Sequence, residues 1–416
     1  MGDRVSLGTT KTALIEQGHW LTVRDCKRVL VVAHTVTFAQ RLREVYDLLA
    51  PDLRIQVVFT APPHAFGSGV THYLRSLGIT TVPWEEARRA EFDLALAAGS
   101  RGLHDLRAPV VRISHGAGHI KLLTDVSALA PGERRVPGML SRSHLMHDGR
   151  LVPSAVVYAH QRDLAELADS CPEALRTAHV VGDPCVDRIT AEMPRRDHYR
   201  EALGLTAGQK LVVVASTWGP AAAFGQFGTL LPALVGQLGG GGHRIALLVH
   251  PNVFAGHGTW QVRRWLAGCP GIVVVPPEAD WQAVLIGADW IIGDHGSLTA
   301  YGTLTAATVL LAPGPRREVS ARSPAALLAA VAPEVSPLHP LAQQLDYASR
   351  LRRPGLYDAV AASLSSAPGE FHRRMRSVVY RLLGLSEPAR PAVVAPPPAP
   401  PSLAEWEIRP DRESAR

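Results

Sequence analysis

Lysine is scarce in this sequence, and the few that occur stand out. Of 43 basic residues only Lys11, Lys27, Lys121 and Lys210 are lysines, and the others are arginines. A bias this strong draws attention to Lys121, which follows a short segment rich in histidine and glycine. Its ammonium group either reaches a phosphate or is simply solvated, and the sequence leaves both interpretations open.

Cysteines and long apolar runs are also few. Cys26, Cys171, Cys185 and Cys269 show no C-x-x-C spacing, which argues against a zinc site or a disulfide framework. No run of about 18 apolar residues is present, so no membrane-spanning helix is predicted. The N-terminus lacks a basic segment followed by an apolar one. We therefore expect no secretory signal and a cytoplasmic location.

The balance of residue types is that of a globular protein. Hydrophobic residues make up 46% of the chain and charged residues 19%, which excludes a disordered protein. A chain of 416 residues exceeds the length at which one core usually keeps growing, so two domains are expected. The net charge is +6, but basic residues are spread along the chain and mostly balanced by acids. No nucleic-acid partner is predicted.

Short apolar strands alternate with helical segments through most of the chain. This alternation is typical of parallel sheets covered by helices on both faces. The main predicted strands of the first half are residues 28–33, 55–59, 92–97 and 110–114, and those of the second half are 211–215, 245–249, 272–275, 290–292 and 308–311.

The predicted fold class is therefore α/β, with two Rossmann-like doubly wound domains facing a cleft. The expected divisions are a lead-in, a first Rossmann-like domain, a second Rossmann-like domain, C-terminal helices and a tail, at residues 1–24, 25–185, 186–345, 346–386 and 387–416. Apolar residues recur at helical spacing over residues 371–383, and Gly384 is placed to end that helix. The tail is rich in proline and is predicted to be extended, solvated and without a fold of its own.

One stretch, Ala288–Tyr301, combines an apolar strand, a small polar turn and a helix start. Asp294 to Gly296 form the predicted turn, and Ser297 is the predicted N-cap. Unpaired backbone N–H groups at a helix start favour an anion such as phosphate. The alternative is an ordinary strand-to-helix turn of an α/β sheet.

Four polar residues follow predicted strands directly or within two residues: His34, His115, His250 and Asp294. Ligands of doubly wound sheets bind beyond the carboxyl ends of the strands, so we expect these side chains on the rim of the cleft. Histidine titrates near neutrality and can accept a proton from a hydroxyl at working pH. The alternative is that both His115 and His250 are bonded into surface turns.

Several familiar signatures are missing. No G-x-x-x-x-G-K-[ST] occurs, and the glycine run at 239–242 precedes a strand, as expected of a helix-to-strand loop. His115 and His119 have the i, i+4 spacing of metal ligands, but no glutamate follows His115, and Gly116 and Gly118 disfavour a helix there. No metal site is predicted.

Five short motifs occur in a fixed order. They are His115-Gly116 followed by Lys121, the segment V-G-D-P-C-V-D at 181–187, A-S-T-W at 215–218, H-P-N at 250–252, and Ala288-Asp289 running to Ser297. This series, over about residues 110 to 305, resembles the CDP-glycerol glycerophosphotransferase family. That family shows His-Gly followed by a lysine, Gly-x-Pro-Arg-x-Asp, Pro-Thr-Trp-Arg, His-Pro, and Ala-Asp followed by Asp-Tyr-Ser-Ser.

The resemblance implies a GT-B type fold and transfer of glycerol phosphate from CDP-glycerol to a hydroxyl in teichoic acid synthesis. It implies that His115 is the catalytic base and that His250 stabilises charge on the donor diphosphate. The resemblance implies no cofactor. It implies contact with the inner face of the cell membrane. The donor phosphates would be bound by Asp294, Gly296, Ser297 and Thr299, and further substrate contacts would come from His34, Gly116, Lys121, Ser216 and Thr217.

The chain also departs from the family pattern. Gly219 stands where the family has an arginine after Thr-Trp, Cys185 stands where it has the arginine of Gly-x-Pro-Arg, and His295-Gly296 replaces Tyr-Ser. Two arginines that would face phosphates are therefore absent, which favours a nucleotide-diphosphate donor in general over CDP-glycerol in particular. The alternatives are a UDP- or GDP-sugar transferase or epimerase-like enzyme, and a non-catalytic nucleotide-binding protein.

Overall fold

The computed structural model describes residues 22–23, 25–123, 135–239 and 242–407, without the side chains of Phe227 and Thr229. Its first half contains a seven-stranded parallel sheet in the order β3-β2-β1-β4-β5-β8-β9. The strands are β1 Lys27–Val32, β2 Ile55–Thr60, β3 Thr81–Val82, β4 Leu94–Ala97, β5 Val110–Ile113, β8 Ala155–Tyr158 and β9 Ala178–Val180, and a small antiparallel hairpin pairs β6 Met146–His147 with β7 Arg150–Leu151.

The helices of this half are α1 Val36–Leu49, α2 Val70–Ser76, α3 Trp84–Ala87, α4 Arg142–Leu145 and α5 Arg162–Ser170. α1 begins at Thr35, whose side chain accepts a hydrogen bond from the backbone N–H of Phe38. Ala39, Leu42 and Val45 on its apolar side are fully buried against the sheet. The apolar residues recur with the 3.6-residue period of a helix, so one side of α1 packs on the sheet and the other side can present polar residues to the cleft.

The second half contains a five-stranded parallel sheet in the order β12-β11-β10-β13-β14. Its strands are β10 Lys210–Ser216, β11 His243–Val249, β12 Ile272–Val274, β13 Trp290–Gly293 and β14 Thr308–Leu311. The helices are α6 Pro184–Glu192, α7 Arg196–Ala202, α8 Phe227–Leu238, α9 Pro251–His257, α10 Thr259–Leu266, α11 Trp281–Gly287, α12 Ser297–Gly302, α13 Pro324–Ala329, α14 Leu341–Leu351, α15 Asp358–Leu364 and α16 Phe371–Leu383.

The predicted fold class, two doubly wound parallel sheets, is confirmed. In each sheet the strand order reverses once, between β1 and β4 in the first and between β10 and β13 in the second. Loops leaving the two strands at such a point diverge to opposite faces of the sheet and open a crevice between them. None of the helices within the described ranges is long and apolar enough to cross a membrane.

The last long helix returns to the first domain. α16 buries Phe371, Met375 and Val379 in the core of the N-terminal sheet, and Gly384 ends it in the left-handed conformation, as predicted. Asp187 accepts hydrogen bonds from the backbone N–H groups of Gly369 and Phe371 at the start of α16.

Most described residues of the proline-rich tail are exposed, as expected, but the segment also makes specific contacts with the folded body. An extended proline-rich chain makes no internal backbone hydrogen bonds, so its carbonyls are free to accept from elsewhere. Those of Ala395 and Pro397 accept from Arg188 and Tyr199. Leu403 is 2% exposed and packs into the core of the second domain. The proline-rich composition therefore indicated the extended backbone correctly but not its burial.

The start of α12 also differs from the prediction. Gly296, in extended conformation, is the N-cap, and Ser297 is the first helical residue. Gly296 has no side chain with which to cap the helix, and the hydroxyl of Ser297 accepts a hydrogen bond from the backbone N–H of Ala117. The N-cap prediction was therefore wrong by one residue.

Candidate active site

The carboxyl ends of both sheets border one cavity of about 870 Å³, within the usual size range of ligand sites. Loops that follow β1, β4 and β5 form its wall on the first domain, and loops that follow β10, β11 and β13 form its wall on the second. All the site residues predicted from the sequence line this cavity: His34, His115, Gly116, Lys121, Ser216, Thr217, His250, Asp294, Gly296, Ser297 and Thr299.

His115 follows β5 and presents its ring to the cavity. The ring lies against Phe38 of α1, with ring centroids 4.6 Å apart. Burial lowers the pKa of His115, and the charges of Arg41, His119 and Arg112 lower it further. Because His115 is exposed on the side that faces the cavity, its pKa is lowered less than that of a fully enclosed ring would be. At neutral pH His115 is uncharged and can accept a proton.

His250 follows β11 and caps α9 with its own side chain. Its Nδ1 accepts a hydrogen bond of 3.0 Å from the backbone N–H of Asn252, so the proton of the neutral ring lies on Nε2. Burial lowers the pKa of His250 to about 3, and the charges of His115 and Lys121 act in the same direction. The backbone hydrogen bond therefore fixes the tautomer of His250, which is a neutral hydrogen-bond donor toward the cavity.

Asp294 organises the turn after β13 rather than facing a ligand. Its Oδ2 accepts from the backbone N–H groups of Thr217 and Ala223, and its Oδ1 accepts from Gly296, each at 2.9 Å. The carboxylate thus joins the loops that follow β10 and β13, the two strands flanking the switch point of the second sheet. Since the Gly296 N–H is already used, the next donors are those of Ser297, Leu298 and Thr299, which have no partner within the helix.

The two domains touch at Ser297. Its Oγ accepts a hydrogen bond of 3.1 Å from the backbone N–H of Ala117, and a Cβ on Gly116 would lie 2.4 Å from that oxygen. Glycine at position 116 therefore permits the loop after His115 to approach the start of α12. Ser297 keeps its hydroxyl proton available for an anion in the cavity.

Three of the predicted contact residues have little access to a ligand. His34 is 1% exposed and donates from Nε2 to the carbonyl of Arg101. The Oγ of Ser216 lies between the Thr217 carbonyl and the Phe224 N–H. The Thr299 hydroxyl is buried without a partner and directed at Gly293, where a Cβ would lie only 2.2 Å away. These residues line the cavity but mainly support its wall.

Lys121 crosses from the first domain to the second. Its ammonium group donates to the carbonyl of Trp218 at 2.9 Å and lies 4.8 Å from the centre of that indole ring. Burial lowers the pKa of Lys121, against the opposing charges of Asp294 and Glu318. A cation therefore sits beside Trp218, next to Gly219, where the family pattern has an arginine.

A second cation, Arg41 of α1, lies beside Cys185. Its guanidinium contacts Cys185 Sγ and forms a buried ion pair of 2.7 Å with Asp183. It also donates to the Gly116 carbonyl and to the Tyr301 hydroxyl. Burial alone would lower the pKa of Arg41, but the charges of Asp183, Tyr301 and Cys185 and the hydrogen bond to Asp183 together raise it well above its usual value. Arg41 thus links both domains and the loop of His115.

The sequence reasoning missed Arg41, Phe38 and the buried arginine Arg112, all of which line the cavity. Arg112 is 2% exposed, and its contacts are the His144 carbonyl and the Met139 sulfur. No described carboxylate pairs with it. Arg112 lies inside an otherwise apolar strand, and Phe38 and Arg41 lie in a helix that carries several other charged residues, so no local motif marks them. The only sequence signal for this site was the series of histidines that follow predicted strands.

His119 lies beside a carboxylate of the first domain, with its Nε2 3.6 Å from Asp163. No group of three or more His, Cys, Asp or Glu residues in the described part of the chain is arranged to hold a metal ion.

Comparison by sequence finds no matching family model and no matching curated protein. Solved structures do match in fold. The wall teichoic acid polymerase TagF soaked with CDPG matches with a TM-score of 0.59 at 12% identity, over 86% of this chain and 90% of that chain. Without the soak the same polymerase gives 0.55 at 12% identity, over 86% and 88%. A UDP-GlcNAc 2-epimerase from Methanocaldococcus jannaschii gives 0.49 at 11% identity, over 85% and 99%, a score too low to support an argument. At these identities the likeness establishes the GT-B type fold alone.

Proposed function

We propose that this protein is a transferase that moves a glycerol-phosphate or glycosyl group from a nucleotide-diphosphate donor to a hydroxyl acceptor. The observation that carries the proposal is the pairing of His115 and His250 across one cavity, each at a strand end of a different domain. Both rings line the same cavity, and a proton on His115 would further lower the pKa of His250. A base on one wall and a neutral donor on the other suit transfer between two bound substrates.

The donor diphosphate is proposed to lie against the second domain. The His250 Nε2–H, the first N–H groups of α12 and the Ser297 hydroxyl are hydrogen-bond donors there, and Lys121 supplies a positive charge. α12 has only six residues, so its dipole is small and the individual donors matter more. Fixed donors of this kind stabilise charge that develops on a leaving group without a metal ion.

Asp294 takes a different part from the one implied by the family. A carboxylate repels phosphate, and all three of its hydrogen bonds hold backbone N–H groups. We propose that Asp294 positions the turn, while Gly296 keeps the turn small enough for a phosphate to approach. The Cβ of any larger residue at position 296 would lie 3.0 Å from Asp294 Oδ1 and 3.2 Å from Thr217.

The acceptor hydroxyl is proposed to bind beside His115. His115 takes the hydroxyl proton as the oxygen attacks the donor. In glycerol-phosphate transfer the oxygen bonds to the phosphorus that carries glycerol, the bridging P–O bond breaks, and a nucleoside monophosphate leaves. In glycosyl transfer the oxygen bonds to the anomeric carbon, the C–O bond to the diphosphate breaks, and a nucleoside diphosphate leaves. The proton passes from His115 to water in both cases.

The absence of the two family arginines is weaker evidence against catalysis than the sequence alone suggested. Lys121 supplies a positive charge beside Gly219, and Arg41 borders Cys185, although Asp183 compensates the charge of Arg41. Both come from the first domain, and each also forms an interdomain contact. This supports a working nucleotide-diphosphate site over a decayed one, although it does not favour CDP-glycerol among the donors.

The test is to identify the nucleotide product. Purified protein is first screened by thermal shift with CDP-glycerol, CDP-ribitol, UDP-sugars and GDP-sugars, because a ligand of the native state raises the melting temperature. The stabilising donor is then incubated with hydroxyl acceptors. Release of a nucleoside monophosphate supports glycerol-phosphate transfer, and release of a nucleoside diphosphate supports glycosyl transfer. Stabilisation without turnover on any acceptor would support the non-catalytic alternative, and no stabilisation would refute the donor site.

A further inference from the structure

A segment outside the family resemblance lines the candidate site. The motifs that carry the resemblance end near residue 305, whereas residues 395–401, which we call the C-terminal strap, border the same cavity as His115 and His250. The cavity-lining residues of the strap are Ala395, Pro396, Pro398, Ala399, Pro400 and Pro401. Any contribution of the strap to ligand binding is therefore a property that the family motifs do not encode.

The strap is held on the second domain by contacts along its length and beyond its end. The Tyr199 hydroxyl donates to the Pro397 carbonyl at 3.0 Å. The backbone N–H of Leu403 donates at 3.0 Å to a carbonyl just after α7, and the Leu403 side chain is buried. Arg244 pairs with Glu407 at 2.6 Å. Because these contacts order the strap when the protein folds, a ligand that packs against it does not lose affinity to ordering it.

One arginine joins the strap to both domains. Arg188 of α6 donates from Nε to the Ala395 carbonyl at 3.0 Å, and its terminal nitrogens pair with Glu44 of α1 at 2.5 Å and with Asp280 at 2.9 Å. Asp280 is the N-cap of α11, where it accepts from the backbone N–H of Gln282. The strap is therefore fixed against the start of α11 on one side and linked to α1 of the first domain on the other.

The start of α11 lies beside α12, where the donor phosphates are proposed to bind. The Trp281 ring stacks on the Tyr301 ring of α12, with centroids 5.6 Å apart and planes 21° apart. Trp281 and the loop before it, residues 276–280, also line the cavity. The part of the second-domain wall next to the phosphate position is therefore formed by the start of α11 together with the strap.

This end of the cavity suits a flat ring better than a further phosphate. Four of the cavity-lining strap residues are prolines, which have no backbone N–H to donate. Trp281 and Trp406 are half-buried and line the same cavity, as do the carboxylates of Glu278 and Asp280. The Oε1 atom of Gln282 is buried there without a hydrogen-bond partner in the described structure. Apolar rings pack on flat rings, and carboxylates repel phosphate.

We infer that the C-terminal strap closes the nucleoside end of the donor site and that the fit of the base against it determines which nucleotide binds. The inference rests on the proposed function, because the diphosphate position at α12 decides which end of the cavity receives the nucleoside. Lys121 and the donors at α12 hold the phosphates, and the strap with the start of α11 holds the base. Affinity for the base is therefore separable from affinity for the diphosphate.

The test is calorimetric titration of the full chain with CDP, UDP, GDP, ADP and inorganic pyrophosphate. Ala399→Trp adds bulk at an exposed, cavity-lining position, and Pro398→Gly with Pro400→Gly removes two rings of the wall while the contacts of Arg188 and Tyr199 remain. Each should weaken the best-bound nucleoside diphosphate at least about tenfold, because the base loses its fit, and leave pyrophosphate affinity unchanged. The order of affinity among the four nucleotides should change as well.

Matched controls lie earlier in the same segment. Val393→Trp adds bulk at a position that is 71% exposed and outside the cavity lining, and Pro388→Gly with Pro391→Gly removes two prolines that are also outside it. Both controls should bind every ligand as the original chain does.

The possible failures are distinguishable. Unchanged nucleotide affinity in the two cavity variants, equal loss in the controls, or equal loss of pyrophosphate would overturn the inference. If the original chain binds pyrophosphate and a nucleoside adds no affinity, the strap does not hold a base although the phosphate site stands. If neither pyrophosphate nor any nucleotide binds, the proposed donor site is wrong and the inference is refuted with it.

Discussion

At His250 the main chain decides which ring nitrogen carries the proton. The hydrogen bond from Asn252 N–H to Nδ1 leaves the proton on Nε2, and the lowered pKa keeps the ring neutral. His115 has no such bond among the described contacts, and its chemistry depends on the cavity and on the nearby positive charges. The two histidines are therefore suited to different tasks although the sequence presents both as strand-end residues.

Kinetics of single substitutions should separate these tasks. His115→Ala should lower the single-turnover rate by roughly 10²- to 10⁴-fold, the usual contribution of a general base, with donor affinity little changed. His250→Ala should lower the rate and also weaken donor binding, whereas His250→Gln should lose less because its amide can still donate. Calorimetry with the donor beside rapid-quench rates measures both. Normal turnover by His115→Ala would exclude His115 as the base.

Buried histidines should also make the fold sensitive to acid. Burial lowers the pKa of His34 to about 4, against the raising effect of its bond to the Arg101 carbonyl. Between pH 6.5 and 4 the unfolded chain takes up a proton that the folded chain does not, so the free energy of unfolding falls as pH falls. This single group should contribute about 2 kcal/mol of loss at pH 5, and nothing above pH 7.

The measurement is the melting temperature as a function of pH for the original chain and for His34→Gln. The variant should show a shallower decline between pH 6.5 and 5, even if it is less stable overall. His72→Gln, a change at an exposed histidine of α2, is the control and should leave the slope unaltered. A parallel decline in His34→Gln would mean that this histidine does not contribute to the acid sensitivity.

At the scale of elements, helix α1 joins the domains through one arginine. Arg41 reaches Asp183 ahead of α6, Tyr301 in α12 and the carbonyl of Gly116. A second arginine, Arg188 of α6, pairs with Glu44 of the same helix α1 and with Asp280. All three ion pairs are buried or nearly so, and they fix how the His115 loop meets the second domain.

Arg41→Met should therefore destabilise the protein strongly. It leaves the Asp183 carboxylate buried without its partner, and breaking a buried pair in this way costs about 3 to 5 kcal/mol. Adding Asp183→Asn should recover part of the loss, because asparagine removes the charge and can still cap α6. Chemical denaturation of the two variants measures the difference. If the double variant were no more stable than Arg41→Met, the charge on Asp183 would not be the cause.

At the scale of the whole molecule, the C-terminal part of the chain contacts both domains. α16 packs on the first domain, and the segment that follows crosses to the second, where Leu403 is buried and Arg244 pairs with Glu407. Ala395, Pro396 and neighbouring residues form part of the cavity wall. The proline-rich segment therefore belongs to the folded body and borders the candidate site.

Deleting residues 388–416 should lower the melting temperature by several degrees. Burial of one leucine contributes about 1.5 to 3 kcal/mol, and the hydrogen bonds to Arg188 and Tyr199 add to it. Deleting residues 408–416 alone is the control and should have little effect on these contacts. Calorimetric scans of both truncations provide the comparison. Equal melting temperatures for the original chain and the longer deletion would show that the segment contributes no stability.

The sequence alone determined the fold class and the placement of the strand ends. Both depend on local patterns: a buried strand is a short apolar run, and an amphipathic helix has a 3.6-residue period. Because parallel strands share one carboxyl edge, the positions of His115, His250 and Ser297 after strands were enough to place them around one cavity. Their chemical roles remain predictions.

Only the tertiary structure decided which neighbours these residues have. Arg41 and Asp183 are 142 positions apart, and nothing local to either predicts a buried ion pair between them. The proline-rich composition of the tail indicates an extended chain but not the surface that its carbonyls meet. The direction of Thr299 and the proton position on His250 depend likewise on contacts formed when the domains pack. Such contacts form between side chains that are distant in the sequence and that folding brings together, so a local sequence pattern does not predict them.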